Sequence, residues 1–278
     1  MTQSTAPRPV GVDELRRAWH AVQDGQFRTR EPLPVRPPRP RAQTTTGEWT
    51  TSEPVLPVIG CAGQSGTTTV ALALATVSGS ARVVECCTAT ASGLAAAATA
   101  ELGRGQNAWA IGRRDRVWMA RTSQVLLGPD ETPLPDSSLA EVDLTVLDIG
   151  WEIGQVMASG GWIRDQLESA SSLVLVTTPT VPAMRRLEMA LTLLDPQKIA
   201  VAVRGTHPRC WPKALLAALG SRSAAAVKNG PVVAIPSDKG LLLRGLDSSP
   251  LPASLLKAAG NLLGHTAPGI HHQKGPQT

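Results

Sequence analysis

The segment Gly60-Cys-Ala-Gly-Gln-Ser-Gly-Thr-Thr-Thr69 has the residue types and spacing to do chemistry. Glycines let the backbone turn inward, so that successive N–H groups can surround an anion. A helix that follows such a loop adds unpaired amides and the positive end of its dipole at the same place. This is how a P-loop holds the phosphates of a nucleotide. Against the pattern G-x-x-x-x-G-K-[ST], Gly66 matches the second glycine and Thr68 the magnesium-binding hydroxyl. Cys61 stands where the first glycine belongs, and Thr67 where the lysine belongs.

The other reactive side chains form no competing pattern. Cysteines stand at 61, 86, 87 and 210, and the adjacent pair Cys86-Cys87 is not a zinc-ligand spacing. They read as buried thiols in a reducing compartment. Histidines are scattered at 20, 207, 265, 271 and 272, the last two in a polar tail. There is no Gly-x-Ser-x-Gly elbow and no G-x-G-x-x-G loop. Asp143 and Asp148 lie five residues apart on one expected strand, an odd separation that sends them to opposite faces.

The loop needs a buried strand before it and a helix after it. Val55–Ile59 predicts the strand, although Pro57 is awkward in a central position, and Thr67–Val77 predicts the helix. Further along, strands are expected at Arg82–Cys86, Val142–Ile149, Ser172–Thr177, Ile199–Arg204 and Val232–Ile235. Helices are expected at Ala91–Leu102, Trp162–Ala170, Val181–Leu194, Pro212–Leu219 and Ala253–Leu263. Ala108–Arg121 reads as a hairpin turning at Gly112–Asp115, and Gly128–Ser138 as a loop. This alternation predicts an α/β fold of P-loop NTPase type, a mostly parallel sheet with helices on both faces. With no tyrosine, one phenylalanine (Phe27) and seven tryptophans, the core must be largely aliphatic, which suits strands buried on both faces.

Ahead of this domain, Val12, Leu15, Trp19 and Val22 share one face of a short amphipathic helix, with Gly25 as its stop. Residues 1–27 are therefore assigned to a helical segment and 28–53 to an extended, proline- and arginine-rich linker. Five arginines face one glutamate between 28 and 41. The α/β domain covers 54–264, and 265–278 is expected to be a disordered tail. The formal charge of +5 permits, without requiring, contact of the Arg-rich linker with DNA or an acidic membrane. The N-terminus lacks an apolar signal core and no apolar run approaches ~20 residues, so the protein is expected to be cytoplasmic.

The order of these segments resembles the ParA/MinD group of deviant P-loop ATPases, whose loop usually reads K-G-G-V-G-K-T-T. The aligned stretch here is Ala62-Gly63-Gln64-Ser65-Gly66-Thr67-Thr68-Thr69, so both lysines are absent. Arg82-Val-Val-Glu85 followed by Ser92-Gly-Leu94 is similar to the family's second strand and acidic loop, with glutamate where aspartate is usual. Asp143-Leu-Thr-Val-Leu-Asp148-Ile-Gly150 resembles the strand that ends in the Walker B-like aspartate. Val232-Val-Ala-Ile-Pro-Ser-Asp238 with Pro250-Leu-Pro252 resembles its C-terminal stretch.

The resemblance implies ATP and Mg²⁺ as ligands, held by Gly63, Gln64, Ser65, Gly66, Thr67, Thr68 and Thr69, with Thr68 and Asp148 toward magnesium. It implies a homodimeric switch that positions or assembles a larger object in plasmid partition, conjugation or secretion. The missing lysines argue for weak or no hydrolysis, because removing one preorganised donor costs at least ~10²-fold in rate. Arg113, Arg114 or Arg204 could replace the lost charge. The alternative is a non-catalytic adaptor that holds a protein partner through residues 1–50.

Overall fold

Among the described residues, Val55–Gly60 forms β1, an interior strand of a nine-stranded sheet. The computed structural model describes residues 12–24, 47–105, 107, 109–136, 140–194 and 198–266. Gly25, the linker up to residue 46 and the tail from 267, with His271-His272, lie outside the described residues. The N-terminal helix α1 (Val12–Gln23) is a unit by itself, and Val12, Leu15, Trp19 and Val22 on it are exposed.

In the α/β domain, α2 (Thr67–Ser78) follows β1, then β2 (Ala81–Cys86) and a meander of β3 (Ala100–Arg104), β4 (Trp109–Arg114) and β5 (Val117–Thr122). Next come β6 (Leu144–Ile149), α3 (Ile153–Ser159), α4 (Trp162–Ser169) and β7 (Ser172–Thr177). The chain continues through α5 (Val181–Leu193), β8 (Lys198–Arg204), α6 (Lys213–Ala217) and α7 (Ser221–Asn229). It ends on β9 (Val232–Ile235), α8 (Lys239–Arg244) and α9 (Ala253–Thr266). The strands lie in the order β3-β4-β5-β2-β6-β1-β7-β8-β9, and their pairs are parallel except β3–β4 and β4–β5, so the sheet is mixed but mostly parallel.

The strands β2, β6 and β7 are buried along their whole length, as helices on both faces require. One core joins Leu72, Leu74, Val146, Leu255 and Leu262, and the other joins Ile59, Ile163, Leu167, Met184 and Leu187. The two largest fully buried side chains are tryptophans whose N–H groups find carbonyls. Trp109 donates to Leu134 (3.0 Å) and Trp162 to Thr132 (2.8 Å). Pro57 lies one residue before the β1–β7 pairing begins at Val58, a place where a missing donor is tolerated.

Several expectations are corrected. Ala91–Leu102 is not a helix; a 3₁₀ turn at Ala89–Ala91 leads through turns to β3. The Glu85 carboxylate takes the Ser92 hydroxyl (2.6 Å) and the amides of Gly93 (2.6 Å) and Leu94 (3.0 Å), which diverts that backbone from helix. Alanine's helix propensity is too weak to resist. The hairpin turns at Asp115 (φ 51°) and Arg116, with Gly112 inside β4. A Cβ on Gly112 would lie 2.9 Å from that of Ala98, so the close approach explains the glycine.

Packing also begins ahead of residue 54. Trp49 is buried in edge-to-face contact with Trp162 (5.3 Å), and its carbonyl accepts from Gln166 (3.0 Å). Helix α9 runs to Thr266, whose carbonyl accepts from Ser172 (2.6 Å), so residues 265 and 266 belong to the domain rather than to a tail. Helices α3, α7 and α8 add to the expected set.

Candidate functional site

The loop from β1 to α2 is built at the C-terminal end of the central strands. The Cys61 amide donates to Val176 on β7 (2.9 Å) and pins the loop to the neighbouring strand. Gly60 has to be glycine, because a Cβ there would lie 2.5 Å from Thr67 Oγ1 and 2.6 Å from Ser65 Oγ. The loop then turns through two left-handed residues, Gln64 (φ 58°) and Gly66 (φ 93°). Ser65 is buried, its amide donates to Ala62 (3.3 Å), and its hydroxyl is 2.9 Å from that of Thr67.

Helix α2 opens on Gly66 with no side-chain cap, and its first intrahelical bond is Val70 N–H to Gly66 carbonyl (3.0 Å). Among the described residues, the amides of Gly63, Gln64, Gly66, Thr67, Thr68 and Thr69 have no acceptor. Unpaired donors at a helix start, carrying the positive end of the dipole, make an anion site. Gly63, Gln64, Gly66, Thr67 and Thr68 line a cavity of about 650 Å³ together with Gly150, Trp151 and Glu152 beyond β6.

Asp148, near the end of β6, lies in register with Glu85 on β2 and Val58 on β1. Burial, and then the negative charge of Glu85, push its carboxyl up to about 8; the Thr68 hydroxyl is the neighbour that favours its ionised form. Its Oδ1 is buried without a hydrogen-bond partner. The turn held by Glu85 packs on Thr68, since a Cβ on Gly93 would lie 3.2 Å from Thr68 Cγ2. A hydroxyl beside a carboxylate with an orphaned oxygen is a donor set that fits a hard divalent cation.

A second cavity of about 610 Å³ shares Gln64, Gly66 and Thr68 with the first and extends to Arg204, Pro236 and Asp238. Arg204, the last residue of β8, rests on Gly66; its Cδ is 3.2 Å from where a Cβ would stand. The other two candidate arginines are engaged elsewhere. Arg113 stacks over Trp118 (5.4 Å) and donates to Asp115 (2.7 Å), while Arg114 donates to the carbonyls of Asp247 (2.7 Å) and Ser249.

The thiols offer no reactive group here. Burial pushes the Cys61 thiol up to about 12 against the opposing effect of Thr177, and burial also raises Cys86 and Cys87. Among the described residues no group of His, Cys, Asp and Glu could hold a transition metal. No described helix is long and apolar enough to cross a membrane. The structure thus sets Thr68 of the expected loop beside Asp148. Sequence reading missed Trp151 and Glu152, which follow Asp148 closely but match no motif, and the grip of Glu85 on the 92–94 turn.

No protein-family model matches the chain, and no curated protein matches it. Among solved structures, the MinC:MinD cell division protein complex of Aquifex aeolicus aligns with 17% identity and a TM-score of 0.49, over 77% of this chain and 97% of that one. A ParA family ATPase from Chlorobium tepidum aligns with 14% identity and a TM-score of 0.47, over 77% and 92%. A plasmid partition protein from Borrelia burgdorferi bound to AMPPNP gives 11% and 0.48, over 77% and 98%. Likeness at this level says nothing of activity. The P-loop NTPase-like fold, as the ParA/MinD resemblance implies, stands on the strand order and on the glycine loop between β1 and α2.

Proposed function

We propose that this chain is a ParA/MinD-like nucleotide-binding protein that takes ATP with magnesium and acts as a homodimeric positioning or assembly switch, with weak or no hydrolysis. The setting of such a switch would be plasmid partition, conjugation or a secretion apparatus. The observation that carries the reading is the uncapped start of α2, where unpaired amides stand beside Thr68 and the orphaned Asp148 oxygen. The amides of Gly63 to Thr69 would hold phosphate oxygens. Thr68 and Asp148 would hold the magnesium ion, which when bound offsets phosphate charge. Thr67 contributes little to catalysis, because its hydroxyl already faces Ser65 and it carries no charge.

Thermal melting tests this. A ligand that binds only the folded state raises the melting temperature, by about 2.7 kcal/mol of stability at a hundredfold excess over Kd. ATP with magnesium should raise it clearly, and ATP with a chelator much less. Equal melting curves with and without millimolar ATP and magnesium would count heavily against the proposal.

A second reading, the partner-binding adaptor, is favoured by α1, whose apolar face is exposed. Its test is truncation. Because Trp49 is buried, the cut belongs at residue 46 rather than 50. Loss of partner capture with an unchanged melting temperature supports the adaptor; undiminished capture removes it.

A further inference from the structure

The phosphate loop contains no cation, since Ala62 and Thr67 stand at both positions where a lysine is usual. The lining opposite the loop carries the carboxylate of Glu152, and Asp148 is buried near Thr68, so no positive group faces the loop from that side. A bare amide cradle facing a carboxylate is a poor host for a polyphosphate unless a positive group approaches from another element.

Arg204 does so. It ends β8, half-buried, and Gly205 (φ 137°) turns the chain away against Pro179, which fixes where the arginine leaves the sheet. Its Nε and Nη1 lie 3.9 Å from where a Cβ on Gly66 would be. Among the described residues its side chain has no hydrogen bond and no ion pair. The buried arginines of the domain behave otherwise. Arg82 pairs with Glu53, Arg121 with Glu101, and Arg114 is bound to main-chain carbonyls. Gln64, Gly66 and Thr68 line both cavities, so a ligand extending from one into the other passes over Gly66 and beside this guanidinium.

We propose that Arg204 supplies from β8 the positive charge that the loop lacks, gripping the phosphate chain of a nucleoside polyphosphate as it crosses Gly66. A guanidinium is suited to this, because it stays charged at any physiological pH and presents a planar fork of donors to phosphate oxygens. The inference rests on the nucleotide reading above and assigns the missing cation to one residue.

The experiment is a calorimetric titration of ATP with magnesium into the full chain and into Arg204→Ala, Arg204→Gln and Arg204→Lys, each with its melting temperature recorded. Loss of one charge-assisted phosphate contact should weaken ATP binding by about tenfold to a hundredfold in the alanine and glutamine variants. Arg204→Lys should bind more tightly than Arg204→Gln. The glutamine variant keeps length and polarity, so it decides the matter if the alanine variant does not fold. A folded Arg204→Gln protein that binds ATP as the unaltered chain does, or a lysine variant no better than glutamine, overturns the inference and leaves the nucleotide reading standing. If the unaltered chain binds no ATP, both fall together.

Discussion

Asp148 and Glu85 stand side by side at matched register on the parallel strands β6 and β2, two carboxylates at the C-terminal end of a buried sheet. They are handled differently. Glu85 is wrapped by the Ser92 hydroxyl and the amides of Gly93 and Leu94, whereas Asp148 keeps one buried oxygen without a partner. The wrapped group shapes the neighbouring turn, and the orphaned one is left for a ligand.

This pair makes stability depend on pH. Burial and the Glu85 charge hold the Asp148 carboxyl at about 8, above its ordinary value of 3.8. The folded chain therefore keeps a proton that the unfolded chain releases, and stability falls as pH rises through the interval between those values. In chelator, the melting temperature should decline from pH 5 to pH 8. Asp148→Asn should flatten that slope and melt higher than the unaltered protein at pH 8, by at least about 3 °C. Parallel melting curves for both proteins across this range would contradict the assignment.

At the opposite end of the strands, Arg82 is fully buried, paired with Glu53, and donates to Thr145 Oγ1 (3.2 Å) and the Asp136 carbonyl (2.7 Å). Arg82→Ala leaves Glu53 and Thr145 facing a void, and denaturant unfolding should show a loss of about 3–5 kcal/mol. Burial raises the Glu53 carboxyl, but Thr145, its own amide and Arg82 together hold it below the usual value. Its contribution is present at neutral pH and lost as pH falls through that depressed value, so Glu53→Gln should reduce the acid sensitivity of the domain.

Glu188 on α5 serves as a cap borrowed by α7. Its carboxylate accepts from the amides of Arg222 (3.0 Å) and Ser223 (2.7 Å) at a helix start whose own N-cap, Gly220, has no side chain. Glu188→Ala should cost about 1 kcal/mol in chemical denaturation. Gly220→Ala should cost about as much, because the added carbon would push the end of the Glu188 side chain off the same two amides. A neutral effect of both changes would show that α7 is held by packing alone.

Thr67→Lys rebuilds the Gly-Lys-Thr sequence at Gly66-Lys-Thr68. The new ammonium should tighten ATP binding about tenfold or more and raise hydrolysis above the level of the unaltered chain. Release of labelled phosphate is the readout. No gain in either property would mean that the loop is closed to a polyphosphate.

Much of this was legible in the sequence because it is local. The glycines of residues 60–66 announce a loop that bends inward, and the run Leu-Thr-Val-Leu-Asp-Ile announces the buried strand carrying Asp148. What could not be read depends on partners distant in the chain. Ala91–Leu102 has helical composition but yields to Glu85, and Trp49 sits in linker-like sequence yet packs on Trp162. Arg204 was one of three arginines that sequence alone could not separate. Only the strand order, which places the end of β8 near the start of α2, puts it on Gly66.

The most direct measurement is calorimetric titration of ATP into the folded chain and its Thr68→Ala variant, with magnesium and with chelator. We expect saturable binding that needs magnesium and weakens at least about tenfold in Thr68→Ala. Heats that never saturate up to millimolar ATP, from a protein whose cooperative melting shows it to be folded, would contradict a nucleotide site at the start of α2.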